Sequence, residues 1–206
     1  MLSAGKLFQD IEAAGLLIDN NWTVRQNDHL DKETSFIYRS ANLADLNSSF
    51  ADKDLNLETR KYAIHRWRNF KRHEAWLLLL LEEVQTTSLP EFSYHKQVDF
   101  FIETESERIP FDLKVTRFPR SASPQLRDRE LAEWFYLNQS TEGRFHLGNR
   151  FFVVGDPESS LYSLEAARMT VREFASEMRR FRHFINHGNG SSSRAVVLRH
   201  PSATNL

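Results

Sequence analysis

At 206 residues the chain has the length of one compact domain, or of a core with an added subdomain. Hydrophobic residues make up 40% of it and include 16 Phe and 4 Trp, ample material for a core, which excludes wholesale disorder. Lys plus Arg number 27 against 28 Asp plus Glu, a formal net charge of −1, so any affinity for nucleic acid has to come from a local patch.

The chain has no cysteine, which excludes a disulfide scaffold, a Cys-based zinc site, an iron–sulfur cluster and a Cys nucleophile. That usage suits a reducing compartment, and a cytoplasmic location is expected. Asp10 and Glu12 arrive before any long apolar run forms, so no signal peptide is expected. The longest Leu run, residues 77–81, is far too short to span a bilayer, and no membrane partner is expected.

Residues 1–56 read as short helices. Leu7, Ile11, Leu16 and Leu17 fall at roughly helical spacing, and Asn20-Asn21 and Gln26-Asn27-Asp28 look like turns. This segment is expected to cap the main fold, which occupies residues 57–206. Residues 57–84 read as a helix, with Ala63, Trp67, Phe70, Leu77, Leu81 and Val84 recurring at steps of three and four. The one polar member of that series is Glu74. The period then changes to two. Val98, Phe100 and Ile102 form one alternating set; Ile109, Phe111, Leu113 and Val115 form another. These are two strands joined by the short polar stretch 103–108, a hairpin without an Asn-Gly turn. Residues 92–94 suggest a further short strand. Ser123, as N-cap before Pro124, opens a helix running to Asn138. Residues 150–154 read as a strand, 163–185 as a long helix and 194–198 as a last strand. The Gly- and Ser-rich tract 187–193 reads as a flexible loop. The expected fold is α/β, a mixed central β-sheet flanked by helices, with the N-terminal helical cap packed on it in a single compact unit.

The chemistry concentrates on the hairpin. Asp112 and Lys114, two apart on a strand, share one face while Phe111, Leu113 and Val115 face the core. A loop centred between Glu105 and Ser106 puts Asp99 opposite Asp112, with Cβ atoms roughly 4.5–5.5 Å apart. Two carboxylates that close repel unless a proton or a cation lies between them. A hard divalent cation with oxygen ligands, such as Mg²⁺, meets that need. Glu74, on the apolar stripe of its helix, needs a partner and is the candidate third carboxylate, with Glu82 as its substitute.

A helical Glu74, then Val98-Asp99, then Asp112-Leu113-Lys114 resembles the PD-(D/E)XK, or restriction-endonuclease-like, nuclease superfamily. The order of elements over about half the chain resembles its αβββαβ core. Val98 stands where the motif has Pro. The resemblance implies a Mg²⁺-dependent endonuclease, with Mn²⁺ able to substitute, in which Asp99, Asp112 and Glu74 hold the metal. Lys114 would complete the catalytic set. It implies DNA as partner, with a homodimer as a common arrangement in the class. Restriction is the first expectation; repair or junction resolution on the same fold, and a catalytically dead binding module, are the alternatives.

Residues 60–73 carry six Lys or Arg and no acid. On the nuclease reading Arg60, Arg68, Lys71 and Arg72 grip phosphates, joined by Arg117 and Arg120 beyond Lys114. The plain alternative is a solvated helix face. Arg60-x₄-His65 and Arg68-x₄-His73 also resemble the Arg-x₄-His pattern of the HEPN ribonucleases, an all-helical class against which the strands speak.

Overall fold

The computed structural model describes residues 3–18, 27–90, 98–138, 148–155, 161–177, 183–187 and 191–200. The chain forms two units, Met1–Ala75 and Trp76–Leu206. The division falls inside a helix rather than ahead of it at residue 56, because the two halves of that helix have different partners.

The first unit is helical. Helix α1 (Ala4–Gly15) starts at Ser3, whose side chain accepts from the Lys6 N–H, and buries Leu7, Phe8, Ile11 and Ala14. Helix α2 (Asp28–Glu33) is capped by Asn27 and α3 (Leu43–Ala51) by Asn42. A 3₁₀ turn, Ser35–Arg39, separates them. The turn expected at Asn20-Asn21 lies outside the described residues. Asp10, buried, ties the helices together: it takes Lys6 Nζ at 2.6 Å and the Leu43 N–H at 3.3 Å.

Helix α4 (Leu57–Glu83) gives its first half to this unit. There Trp67 Nε1 donates to Ser40 O at 3.0 Å and Arg68 Nε to Ile11 O at 3.1 Å. The buried stripe of α4 differs from the one its apolar residues suggest. It runs through Trp67, Arg68, Lys71, Arg72, Ala75 and Trp76, while Phe70 is exposed and Leu77 and Leu81 are half-buried. Cationic side chains take interior positions because their aliphatic stems pack and their heads find acceptors. Glu74 therefore sits beside the stripe, not on it.

The second half of α4 belongs to the second unit. Trp76 Nε1 donates to Leu161 O at 3.0 Å, and Glu83 meets Arg172 at 3.0 Å. Among the described residues the strands form one mixed six-stranded sheet. They are β1 (Thr87–Ser88), β2 (Phe100–Glu103), β3 (Arg108–Arg117), β4 (Arg150–Gly155), β5 (His183–Asn186) and β6 (Ser192–His200), in the spatial order β1-β2-β3-β4-β6-β5. Pairs β1–β2, β2–β3 and β5–β6 are antiparallel; β3–β4 and β4–β6 are parallel. The mixed α/β class and the flanking helices agree with the sequence reading.

Three expectations need correction, and one lies outside the description. The helix expected from Ser123 starts later, as α5 (Asp128–Leu137). Ser123 makes a turn instead, accepting from Leu126 N–H at 3.2 Å, and Glu130 supplies the start signal by accepting the Arg127 N–H at 2.8 Å. The long C-terminal helix, α6 (Leu164–Glu177), stops well short of Ile185, and His183–Asn186 is strand β5, paired with β6. Ser192 and Ser193, expected in the flexible loop, open strand β6, and His187 N–H donates to Ser191 O at 3.1 Å, residues 188–190 lying outside the described residues. Residues 92–94 lie outside the described residues, and the first strand is Thr87–Ser88.

Alternation along β3 sorts its two faces. Ile109, Phe111 and Leu113 are buried on one, where Phe111 stacks on Phe100 with ring centroids 5.8 Å apart. Asp112 and Lys114 stand on the other. On that second face Phe152, Val154, Ala195 and Val197 pack with Leu131, Ala132 and Tyr136 of α5.

Candidate active site on strands β2 and β3

The expected hairpin register is the observed one. Phe100 pairs with Phe111, Ile102 with Ile109 and Glu103 with Arg108. Asp99, expected across from Asp112, lies one residue beyond the last paired residue of β2. The regular ladder stops at Phe100, and Asp99 N–H donates to Phe111 O at 2.9 Å. Asp99 Oδ2 accepts the Leu113 N–H at 2.7 Å.

The Asp99 carboxyl, held by the Leu113 N–H, lies near enough to Asp112 to act on its titration. Burial, before anything else, pushes the Asp112 carboxyl above the usual carboxylate range. Lys114 pulls it down; the charge of Asp99 and the hydrogen bond between the acids push it up. Lys114 Nζ lies 3.1 Å from Asp112 Oδ2, with its side chain 46% exposed. The acid is thus half-withdrawn from water while the amine stays free to move.

A residue the sequence reading passed over completes the group. Arg150, first in β4, is in register with Asp112 across the parallel pair. Its Nε is 3.4 Å from the same Asp112 Oδ2, and its side chain is only 7% exposed. That Nε is buried and makes no hydrogen bond. The guanidinium lies over the Tyr136 ring, 5.3 Å from its centroid. Tyr136 in turn donates from its hydroxyl to Gly148 O at 2.8 Å. Burial lifts the Tyr136 hydroxyl to about 12, while Arg150 pulls it down. The only advance signal of Arg150 was a charge heading the apolar run 151–154, which also reads as the polar end of a strand.

The structure brings Asp99, Asp112 and Lys114 together. Glu74 belongs to the first unit, where its carboxylate pairs with Lys71 Nζ at 2.7 Å. Glu82, the substitute, is exposed on α4. Among the described residues no three His, Asp or Glu side chains converge as a group able to hold a metal; the acids at the site are a pair.

The basic run divides by burial. Arg68, Lys71 and Arg72 are buried, with Arg68 held by Ile11 O and Lys71 by Glu74. Arg60, Arg117 and Arg120 are exposed, Arg60 with its Nε on Leu55 O at 3.0 Å. No helix among the described residues is long and apolar enough to cross a membrane.

No family model, curated protein or solved structure matches this chain.

Proposed function

We propose that this protein is a divalent-metal-dependent phosphodiesterase acting on DNA, a nuclease of the restriction-endonuclease-like kind. The observation that carries the reading is the placement of Asp112 on β3 with Lys114 Nζ 3.1 Å away and Asp99 beside it, its Oδ2 on the Leu113 N–H. Two acids side by side in a half-buried place call for positive charge beside them, which a divalent cation can supply. Their donors are all oxygen, the set a hard cation such as Mg²⁺ prefers, with Mn²⁺ as a substitute. The order α4-β1-β2-β3-α5-β4, with antiparallel, antiparallel and parallel pairings, supports the reading.

Asp99 and Asp112 would hold the cation. When bound, it lowers the pKa of its water and offsets charge on the phosphoryl oxygens. The protein's own groups do the rest. Leu113 N–H fixes the Asp99 carboxylate. Lys114 leaves Asp112 to orient the attacking water and to offset charge building on the phosphate. Arg117 and Arg120, exposed beyond it, contact the phosphate backbone. This scheme does not use Glu74, which is paired with Lys71 in the first unit.

The test is cleavage of a panel of supercoiled plasmid, phage DNA, branched DNA and structured RNA. Each is offered with Mg²⁺, Mn²⁺ or EDTA to the wild type and to Asp112→Ala. Discrete metal-dependent fragments of phage DNA, lost in the variant, are expected. Cutting confined to branched DNA would make the enzyme a resolvase, and RNA cleavage in EDTA would replace the reading with a HEPN-like one. A folded protein that cuts nothing and binds no divalent metal would make Asp112, Lys114 and Arg150 a structural ion cluster in a binding module.

A further inference from the structure

We infer that Arg150 is a positioning residue that acts through Asp112, a fixed counter-charge that makes divalent-cation binding at Asp99 and Asp112 depend on the substrate's phosphate. The inference rests on the phosphodiesterase reading and goes beyond it, since neither the motif nor the chemistry of the two acids calls for a second cation.

Asp112 Oδ2 carries two positive partners of different kinds. Lys114 Nζ, at 3.1 Å, belongs to a side chain 46% exposed. Arg150 Nε, at 3.4 Å, belongs to one 7% exposed. Lys114 can turn to solvent or to a phosphate. Arg150 cannot withdraw: its residue is paired on one side with Asp112 and on the other with Ala195, and its guanidinium lies over Tyr136. Tyr136 is itself held through its hydroxyl by Gly148 O. A guanidinium stays charged at any pH the fold survives, so its charge is permanent.

Count the charges with both acids ionised. Asp99 and Asp112 are balanced by Lys114 and Arg150. A divalent cation entering this balanced group leaves a net excess of positive charge in a half-buried place, which weakens its binding. A nucleic-acid phosphate beside it supplies the missing negative charge and draws Lys114 off Asp112. Cation and substrate then strengthen each other's binding, and by linkage the strengthening is equal in both directions. A cation without substrate is held weakly, so the activated water forms where there is a phosphodiester to attack.

Replacing Arg150 separates this role from simple support of the strand. If Arg150 only supported β4, its loss would loosen the site and weaken cation binding. If it is the fixed counter-charge, its loss leaves the two acids under-compensated and cation binding without substrate tightens.

The experiment is Mn²⁺ titration followed by electron paramagnetic resonance. It uses the full chain as wild type, Asp112→Asn, Arg150→Lys and Arg150→Met, with and without a nuclease-resistant phosphorothioate duplex. Circular dichroism reports folding, and Arg150→Gln replaces the Met variant if that does not fold. In wild type the duplex should tighten Mn²⁺ by about 5-fold to 150-fold, the usual span of such coupling. Arg150→Lys, which keeps the charge, should keep the coupling. Arg150→Met should bind Mn²⁺ more tightly than wild type without duplex and gain less from adding it. Mn²⁺ binding that needs Asp112 but ignores the duplex, or that weakens in Arg150→Met, would overturn this inference and leave the phosphodiesterase reading in place. Wild type that binds no Mn²⁺, or binds it equally in Asp112→Asn, would overturn both.

Discussion

The Leu113 N–H donates to Asp99 Oδ2 at 2.7 Å, so the main chain one residue past Asp112 fixes the other acid of the pair. The spacing of the two carboxyls is thereby built into the hairpin backbone. Asp99→Ala removes an acceptor from a strand N–H and should cost about 1.5–3 kcal/mol, the range for hydrogen bonds to charged groups. Asp99→Asn keeps an acceptor oxygen and loses the charge. It should unfold in urea close to wild type while Mg²⁺-dependent cleavage is lost. An Asn variant that cuts as fast as wild type would take Asp99 out of the reaction.

Lys114 offers the cleanest separation of chemistry from folding. Its side chain is 46% exposed and pairs with Asp112. Lys114→Ala should therefore change stability by no more than about 1 kcal/mol. Turnover should fall by about 100-fold or more, the scale of a lost proton-handling group. Single-turnover cleavage at saturating Mg²⁺, beside a thermal melt, measures both. Full activity in a folded variant would remove Lys114 from the mechanism.

What the sequence makes legible and what it hides follow from how each residue is held. The β2–β3 register could be read because alternation fixes the faces, and a short polar connection between residues 103 and 108 allows few pairings. The acid pair and Lys114 followed from that register. The stripe on α4 was misread because Arg68, Lys71 and Arg72 are buried, and a pattern that counts charged residues as outward turns the helix the wrong way. Glu74 took its importance from that mistaken face. Strand β5 was taken for helix because a short apolar run such as Phe184-Ile185 fits either period, and only its pairing with β6 decides. The charge of Arg150 at the head of β4 is not enough to mark it, because its meaning comes from standing beside Asp112 across a parallel pair, a neighbour 38 positions away in the numbering.

Burial of Arg68 makes a prediction that divides its two readings. Its Nε is on Ile11 O, and its guanidinium lies against Gly15, where an added Cβ would come within 2.7 Å of Nη2 and 2.9 Å of Cζ. Gly15→Ala must displace that head group from a fixed acceptor and should cost about 1–3 kcal/mol, as overpacking does. Arg68→Ala should lower the melting temperature while leaving the affinity for duplex DNA within twofold or so of wild type. Arg60→Ala and Arg120→Ala should do the reverse, weakening binding and flattening its dependence on salt. A folded Arg68→Ala with unchanged melting temperature and much weaker DNA binding would return Arg68 to the phosphate-gripping set.

Tyr136 sets the alkaline limit of the second unit. Burial raises its hydroxyl to about 12 in the folded chain, against the ordinary value of about 10 in the unfolded one. The folded state therefore keeps this proton where the unfolded state gives it up. The contribution to stability is complete below pH 10 and is lost as the pH climbs through about 12. Urea unfolding of wild type and Tyr136→Phe across this range isolates it. Phe keeps the ring under Arg150 and loses the hydroxyl's bond to Gly148 O. Wild type should be the more stable at neutral pH, and its advantage should shrink above pH 10 as the hydroxyl ionises in the unfolded chain. Ultraviolet titration of the folded protein should show fewer phenols ionising near pH 10 than the unfolded chain shows, since burial raises Tyr62 as well as Tyr136. An advantage that stays constant to pH 12 would mean the hydroxyl titrates alike in both states, and that the Tyr136–Gly148 contact does not hold its proton in place.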